Sequence, residues 1–217
     1  MENLMRKLRK TNPKIIAVAG LSALIIGVIL FFTVKALYYR VRYLSTVDKV
    51  MPESGTITTW YSEDVGAQVI DVNIQYWRQD RGTWSNIKHA VSNLNGLSIA
   101  PGESFSWLQD IGPCGKEDGY VIGGAYPENT YGGGICMVST ALFRVLYTAK
   151  ENGMEDLHVY HSCHSEPLYY APERDDATID AEHNTDLRAK NESDHNLVIF
   201  ADVSEENRTV TLRGYVY

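Results

Sequence analysis

Basic residues, paired cysteines and repeats are scarce in the larger part of this chain of 217 residues. Residues 50–217 contain 11 Lys and Arg against 25 Asp and Glu, a net charge of −14. Nucleic acids and anionic lipid surfaces are bound through basic patches, so this composition excludes both as partners of the region. The three cysteines form no C-x-x-C pair and the six histidines no H-x-x-x-H pair, so no strong zinc pattern is present.

Charge is missing altogether from one stretch near the N-terminus. Residues 15–34 are twenty residues without a charged side chain, and at helical rise they span about 30 Å, the thickness of a bilayer's hydrocarbon core. The run is too long for the core of a signal peptide, and no small-x-small cleavage site follows it. The sequence therefore predicts an uncleaved, single-pass transmembrane helix in the cell membrane. Residues 1–14 are then a basic cytoplasmic tail, residues 35–55 a juxtamembrane linker, and residues 56–217 an extracytoplasmic domain.

A glycine-rich stretch stands out within that domain. Three glycines at 132–134 closely precede Cys136, and apolar residues then recur at helical spacing. The pattern predicts a helix with the cysteine in its first turn, where unpaired backbone N–H groups and the helix dipole favour a thiolate. Backbone N–H groups at Gly134, Ile135 and Met137 are predicted to hold an oxyanion. The alternative is that Cys136 is simply a small buried side chain.

The rest of the domain alternates short β-branched or aromatic runs with turns. A second helix is predicted at residues 84–94, and Gly153 ends the helix that follows Cys136. Strands are predicted at residues 56–61, 98–100, 157–160, 168–171, 177–180, 197–201 and 209–212. Helices beside a mostly antiparallel sheet make an α+β domain.

A cysteine nucleophile needs a base, which is usually histidine. His161 and His164 are the candidates, but on a fully extended strand they face opposite sides unless a bulge intervenes. Four carboxylates are close enough in sequence to orient one of these histidines: Glu166, Asp175, Asp176 and Asp180.

Two other arrangements of the same residues remain open. Cys136, His161, Cys163 and His164 are all competent zinc ligands. A disulfide between Cys114 and Cys163 would leave Cys136 as a free thiol outside the cell.

The order of several motifs resembles the VanW-domain family from about residue 56 to about residue 215. These motifs are Asn86-Ile87, Leu94-Asn95-Gly96, Pro101-Gly102-Glu103-Ser104-Phe105-Ser106, Gly112 before Gly119-Tyr120, Gly132-Gly133-Gly134-Ile135-Cys136 with Ser139-Thr140, His164-Ser165 before Tyr170, Asp176-Ala177-Thr178, Asp186-Leu187 and Asn191. Two departures are visible. Met137 follows the cysteine where the family usually has Gln, and two residues rather than one separate His161 from His164.

The resemblance implies a bacterial protein that faces the cell wall and is linked to vancomycin resistance, in a family of which some members are cysteine L,D-transpeptidases of peptidoglycan. It implies that Cys136 is the nucleophile and His164 its partner, with His161 as a second candidate. Residues expected to shape the site or bind substrate are Gly132, Gly133, Ser139, Ser165 and Asp176.

The expected reaction is acyl transfer on peptidoglycan stem peptides through a Cys136 acyl-enzyme, without a metal or organic cofactor. A cell-envelope complex is left open as a further partner. Two alternatives remain: a catalytically inactive wall-binding or scaffold protein, and a cysteine peptidoglycan hydrolase that uses water as the acceptor.

Overall fold

A computed structural model of the chain describes residues 27, 30, 55–76, 80–125 and 128–217. The chain divides into two compact units, Met1–Met51 and Pro52–Tyr217, and almost all described residues belong to the second. The predicted membrane span at residues 15–34 lies, apart from residues 27 and 30, outside the described residues, as do residues 1–14 and 35–54. Within the described part of the chain, no helix is long and apolar enough to cross a membrane.

The second unit is built on a five-stranded antiparallel sheet with strand order β1-β2-β10-β9-β3. Its strands are β1 (Thr56–Ser62), β2 (Ala67–Gln75), β3 (Leu97–Ile99), β9 (Leu197–Ser204) and β10 (Thr209–Val216). Two helices, α1 (Arg81–Leu94) and α2 (Ile135–Glu151), pack on this sheet, α1 against β9 and α2 against β2 and β10. The α+β class with a mostly antiparallel sheet is therefore confirmed.

The two faces of β2 differ in the residues that they carry. Ile70, Val72 and Ile74 alternate along the strand and are fully buried. On the opposite face, Asp71 accepts hydrogen bonds from Arg213 of the neighbouring strand β10, with Arg213 Nε 2.8 Å from the carboxylate. The apolar face supplies the core that supports α2. On the other face, Val69 and Asp71 are buried as well.

Two smaller sheets complete the domain. One has strand order β4-β8-β7, with β4 (Ser104–Ser106), β7 (Leu157–Tyr160) and β8 (Arg188–Asn191). The other pairs β5 (Ile122–Gly123) with β6 (Thr130–Tyr131), and a five-residue π-helical turn, Trp107–Ile111, follows β4. Strand β4, the π-helical turn and β5 lie within residues 103–125, where the sequence indicated only loops.

Two predicted strands are wrong, and five real strands were not predicted, namely β2, β4, β5, β6 and β8. Residues 168–171 form turns closed by one bridge between Leu168 and Ala171, and residues 177–180 contribute one bridge, between Asp180 and Thr185. Strands β2 and β8 escaped prediction because both contain residues with low strand propensity, and their tertiary partners compensate for this. Helix α1 begins three residues before the predicted start, because the Asp80 side chain caps it by accepting from Thr83 N at 2.8 Å.

Candidate active site

The glycine-rich turn before α2 is fixed by close packing against α1 and β5. Gly134 is the N-cap with a left-handed backbone (φ 101°), and a Cβ there would lie 2.3 Å from Thr83 Cγ2. A Cβ on Gly133 would lie 2.3 Å from the carbonyl oxygen of Gly123. Side chains are excluded at both positions, so the turn can approach its neighbours closely and start the helix at a defined point.

Asn86 on α1 ties this turn to the strand beside it. Its Nδ2 donates to Gly133 O at 3.1 Å and to Val121 O at 2.9 Å, and its Oδ1 accepts from Val121 N at 2.9 Å. The side chain is buried, so these bonds replace water completely. Asn86 thus positions the carbonyl of the glycine immediately before the N-cap of α2.

Cys136 occupies the first turn of α2 and is half-buried. Its Sγ lies 3.5 Å from Ile179 N and 3.8 Å from Ile179 O. The N–H groups of Ile135 and Met137 donate to Gly132 O at 3.1 Å and to Gly134 O at 3.2 Å. By contrast, the N–H groups of Gly134 and Cys136 donate to no acceptor among the described residues. The helix start therefore presents a thiol together with unpaired backbone donors.

His164 and Asp176 form a tight pair beside this thiol. Asp176 Oδ2 lies 2.5 Å from His164 Nδ1 and accepts from His164 N at 3.0 Å. Only 1% of the Asp176 side chain is exposed, against 28% of His164. Burial acts to lower the pKa of His164, but hydrogen bonds to Asp176 and Cys136 and the negative charge of both raise that pKa to about 10. The imidazole is therefore held as an imidazolium between a carboxylate and the thiol.

The segment that carries Asp176 is pinned to α2 by two hydroxyl groups. Ser139 Oγ donates to Ala177 O at 2.6 Å, and Thr140 Oγ1 accepts from Ala177 N at 3.2 Å. One residue later, Thr178 Oγ1 lies 3.0 Å from His164 Nδ1. The helix that carries the thiol thus also places the carboxylate and the hydroxyl that flank the imidazole.

Arg144, two turns further along α2, holds the preceding part of the same loop. Its Nη2 donates to Tyr170 O at 2.8 Å and forms a 2.7 Å ion pair with Asp175. The guanidinium is almost fully buried, which makes it a rigid anchor rather than a surface charge. Nothing in the spacing of the sequence pointed to this arginine, since its partners lie 26 and 31 positions away.

His161 lies on the same side as His164 but makes different contacts. Its ring stacks on Phe143 with centroids 4.0 Å apart, and its Nδ1 donates to the main-chain oxygen of Asp176 at 3.0 Å. Strand β7 ends at Tyr160, so the alternation expected for an extended strand does not apply to residues 161–164. Both histidines contact Asp176: His164 contacts the carboxylate, and His161 contacts the main-chain oxygen.

All three cysteines are free thiols, so the structure contains no Cys114–Cys163 disulfide. Cys114 is buried beside Gly132. A Cβ added to Gly132 would lie 3.0 Å from the Cβ of Cys114. Cys163 is exposed, with Arg174 Nη2 3.9 Å from its Sγ. Among the described residues, no group of three His, Cys, Asp or Glu side chains is arranged to hold a metal ion.

The remaining predicted residues lie away from these contacts. Ser165 is exposed, and its hydroxyl makes no hydrogen bond to another described residue. The Met137 side chain is buried in the core, so it does not line the surface beside Cys136. Besides Arg144, the site residues that sequence reasoning missed are Thr178 and Ile179. The Asp176-Ala177-Thr178 motif was a usable signal for Thr178, whereas Ile179 contributes through its main chain and leaves no signal.

Comparisons with known proteins agree on one family. Residues 82–213 match the family described as "VanW like protein". Over 126 residues the chain is 32% identical to the vancomycin B-type resistance protein VanW of Enterococcus faecalis. The matched region covers 56% of this chain and 45% of that relative, so the chain spans about half the length of the curated relative that it matches. No solved structure matches the chain.

Proposed function

The chain belongs to the VanW-like family, which is related to vancomycin resistance, and on that basis together with the thiol–imidazole geometry we propose that it is a cysteine L,D-transpeptidase of peptidoglycan. The observation that carries the proposal is the Cys136–His164–Asp176 arrangement at the start of α2. A nucleophile, a base and a group that orients the base are the three parts of a covalent acyl-transfer site. The scaffold alternative predicted a buried Cys136 without a nearby histidine, and neither feature is present.

The first half-reaction forms a thioester. The Cys136 thiolate attacks the peptide carbonyl next to a D-alanine, so an Sγ–C bond forms and the carbonyl oxygen becomes an oxyanion. The unpaired N–H groups of Gly134 and Cys136 are the donors available to that oxyanion. His164 then passes its proton from Nε2 to the departing nitrogen, the C–N bond breaks, and D-alanine leaves.

The second half-reaction transfers the acyl group. An amine on another stem peptide attacks the thioester and gives its proton to His164 Nε2, and the Sγ–C bond breaks to restore the thiolate. Asp176 remains a carboxylate throughout, because its role is to hold Nδ1 and stabilise the imidazolium. No step needs a metal or an organic cofactor.

The proposed location follows from the uncharged stretch at residues 15–34. A membrane helix there places residues 56–217 outside the cytoplasm, where the cell wall is the substrate. Protease added to intact cells stripped of their wall is expected to digest the domain. Protection of the domain from that protease would contradict this topology.

The reaction is tested by incubating the full chain with soluble wall fragments and measuring product masses. Transpeptidation is expected to yield a cross-linked dimer and free D-alanine, together with a mass increase on Cys136 from the acyl-enzyme. Shortened stems without dimers would indicate the hydrolase instead. If neither product forms and no adduct appears on Cys136, the chain is not an enzyme of this kind. Cys136→Ala is the matched control.

A further inference from the structure

A groove opens on the small sheet β4-β8-β7, outside the thiol site. Its volume is about 370 Å³, and its walls come from β4, β7, β8 and the π-helical turn. Lys190 pairs across the sheet with Ser104, and Arg188 pairs with Tyr160. Residues two apart on a strand face the same side, so both cations point into this one groove.

The charge of the groove contrasts with that of the domain around it. Residues 50–217 have a net charge of −14, yet neither Arg188 nor Lys190 forms an ion pair with a carboxylate among the described residues. Lys190 Nζ donates one bond, to Gly102 O at 2.5 Å, and retains two further donors. Asp110, the groove's acidic wall residue, already accepts from Ser106 N at 2.7 Å. The groove therefore presents two cations and one carboxylate, a net positive charge, to an outside anion.

The shape of the groove limits the ligand. Arg188 lies over the ring of the half-exposed Tyr160, with its guanidinium carbon 5.8 Å from the ring centroid. That stacking orients the planar guanidinium, whose paired N–H groups match the two oxygens of a carboxylate. A volume of about 370 Å³ is at the lower end of the range for small-molecule sites, so it admits a few residues of a peptide and not a folded partner.

We propose that this groove binds a free carboxylate of a short peptide, with Arg188 and Lys190 as its ligands and the Tyr160 ring packing beside it. The identification of that peptide as a wall stem rests on the proposed function. Tyr160 directly precedes the segment that carries His161 and His164, so the groove and the thiol site share one continuous stretch of chain. The groove would therefore select acidic stems and orient them toward Cys136.

Binding is tested with the full-length chain carrying Cys136→Ala, so that no turnover occurs. The probe is the synthetic peptide L-Ala-γ-D-Glu-L-Lys-D-Ala, titrated calorimetrically beside the same peptide with both carboxylates amidated. Changing Arg188→Gln together with Lys190→Gln is expected to weaken binding of the acidic peptide about tenfold or more. The amidated peptide should bind the parent and this variant equally.

Lys116→Gln together with Lys150→Gln removes the same charge away from the groove and is expected to change affinity less than about twofold. Because Lys190 bonds Gly102 O, Arg188→Gln alone provides a second variant that leaves that turn intact. Unchanged affinity in both groove variants would overturn the proposal. So would binding of a peptide-free muramic-acid disaccharide as tight as that of the peptide, since the anion would then come from the glycan.

The two proposals fail in different ways. If the Cys136→Ala chain binds the acidic peptide through the groove but the wild-type chain yields no thioester or dimer from wall fragments, the groove stands and the transpeptidase does not. If dimers form with the same KM in the groove variants as in the wild type, the transpeptidase stands and the groove proposal is refuted. A raised KM with unchanged kcat in the variants supports both.

Discussion

Cys136 and Cys114 both adjoin the glycine-rich turn that starts α2, but their surroundings differ. Cys114 is 3% exposed, and burial raises the pKa of its thiol against the lowering effect of a hydrogen bond from Trp107 Nε1, 3.4 Å away. Cys136 is half-buried, lies beside unpaired backbone N–H groups, and faces the imidazolium of His164. Access to water and a nearby positive charge, rather than residue type, therefore distinguish a reactive thiol from a core side chain.

The largest contrast is expected when each thiol is removed in turn. Cys136→Ala should reduce the release of D-alanine from wall fragments at least about 10⁴-fold, because the thioester of the proposed reaction forms on Cys136 Sγ. Cys114→Ala should keep most of that activity and destabilise the domain by about 1 kcal/mol, since it removes only a small buried side chain. Turnover assays and thermal melts of both variants check this. Loss of turnover in Cys114→Ala without loss of fold would contradict the comparison.

The two histidines give the next largest effect. His164→Ala should lower turnover by about 10²–10⁴-fold, the usual contribution of a general base. His161→Ala should be milder, about tenfold or less, because His161 contacts the main chain of Asp176 rather than its carboxylate. Both variants belong in one assay with Cys136→Ala as the zero. Abolished turnover in His161→Ala beside near-normal turnover in His164→Ala would reverse the assignment.

Thiol labelling probes the same contrast without a substrate. At neutral pH, iodoacetamide should modify Cys136 about tenfold faster than exposed Cys163, because Cys136 lies at a helix start beside unpaired backbone N–H groups and the positively charged His164. Cys114 should react only after unfolding, since it is buried. Peptide mass mapping over time gives the order. Faster labelling of Cys163 or Cys114 in the native protein would remove the basis for calling Cys136 activated.

The smallest predicted effect is a shift in pH dependence. The pKa of His164 is raised from 6.5 to about 10, so the imidazole keeps its positive charge until the pH approaches 10. The stability that its pairing contributes is complete below pH 6.5 and is lost as the pH rises through 10. Iodoacetate is attracted by that charge and iodoacetamide is not, so their rate ratio at Cys136 should fall near pH 10. In Asp176→Asn, this fall should occur at a pH about one unit or more lower. An unchanged profile would show that Asp176 does not support the imidazolium.

Local sequence patterns were enough to predict part of the fold and part of the site. The helical spacing after residues 132–134 placed Cys136 in the first turn of α2, because glycines and apolar periodicity act within a few residues. Strand β1 and strands β7, β9 and β10 were indicated by β-branched and aromatic runs for the same reason. Strand β2 was not, since Asp71 and Asn73 lower its strand propensity, and their bonds to Arg213 and Thr211 of β10 form only in the folded sheet.

By itself, the sequence determined that a thiol stands at a helix start behind three glycines and that histidines and carboxylates follow it. Only the tertiary structure decided which carboxylate forms a hydrogen bond with which histidine. Asp176 lies twelve positions beyond His164 and meets it because Ser139 and Thr140 fix the next residue, Ala177, to α2. Spacing along the chain predicts contacts within a turn or a strand, whereas contacts between segments depend on how side chains pack.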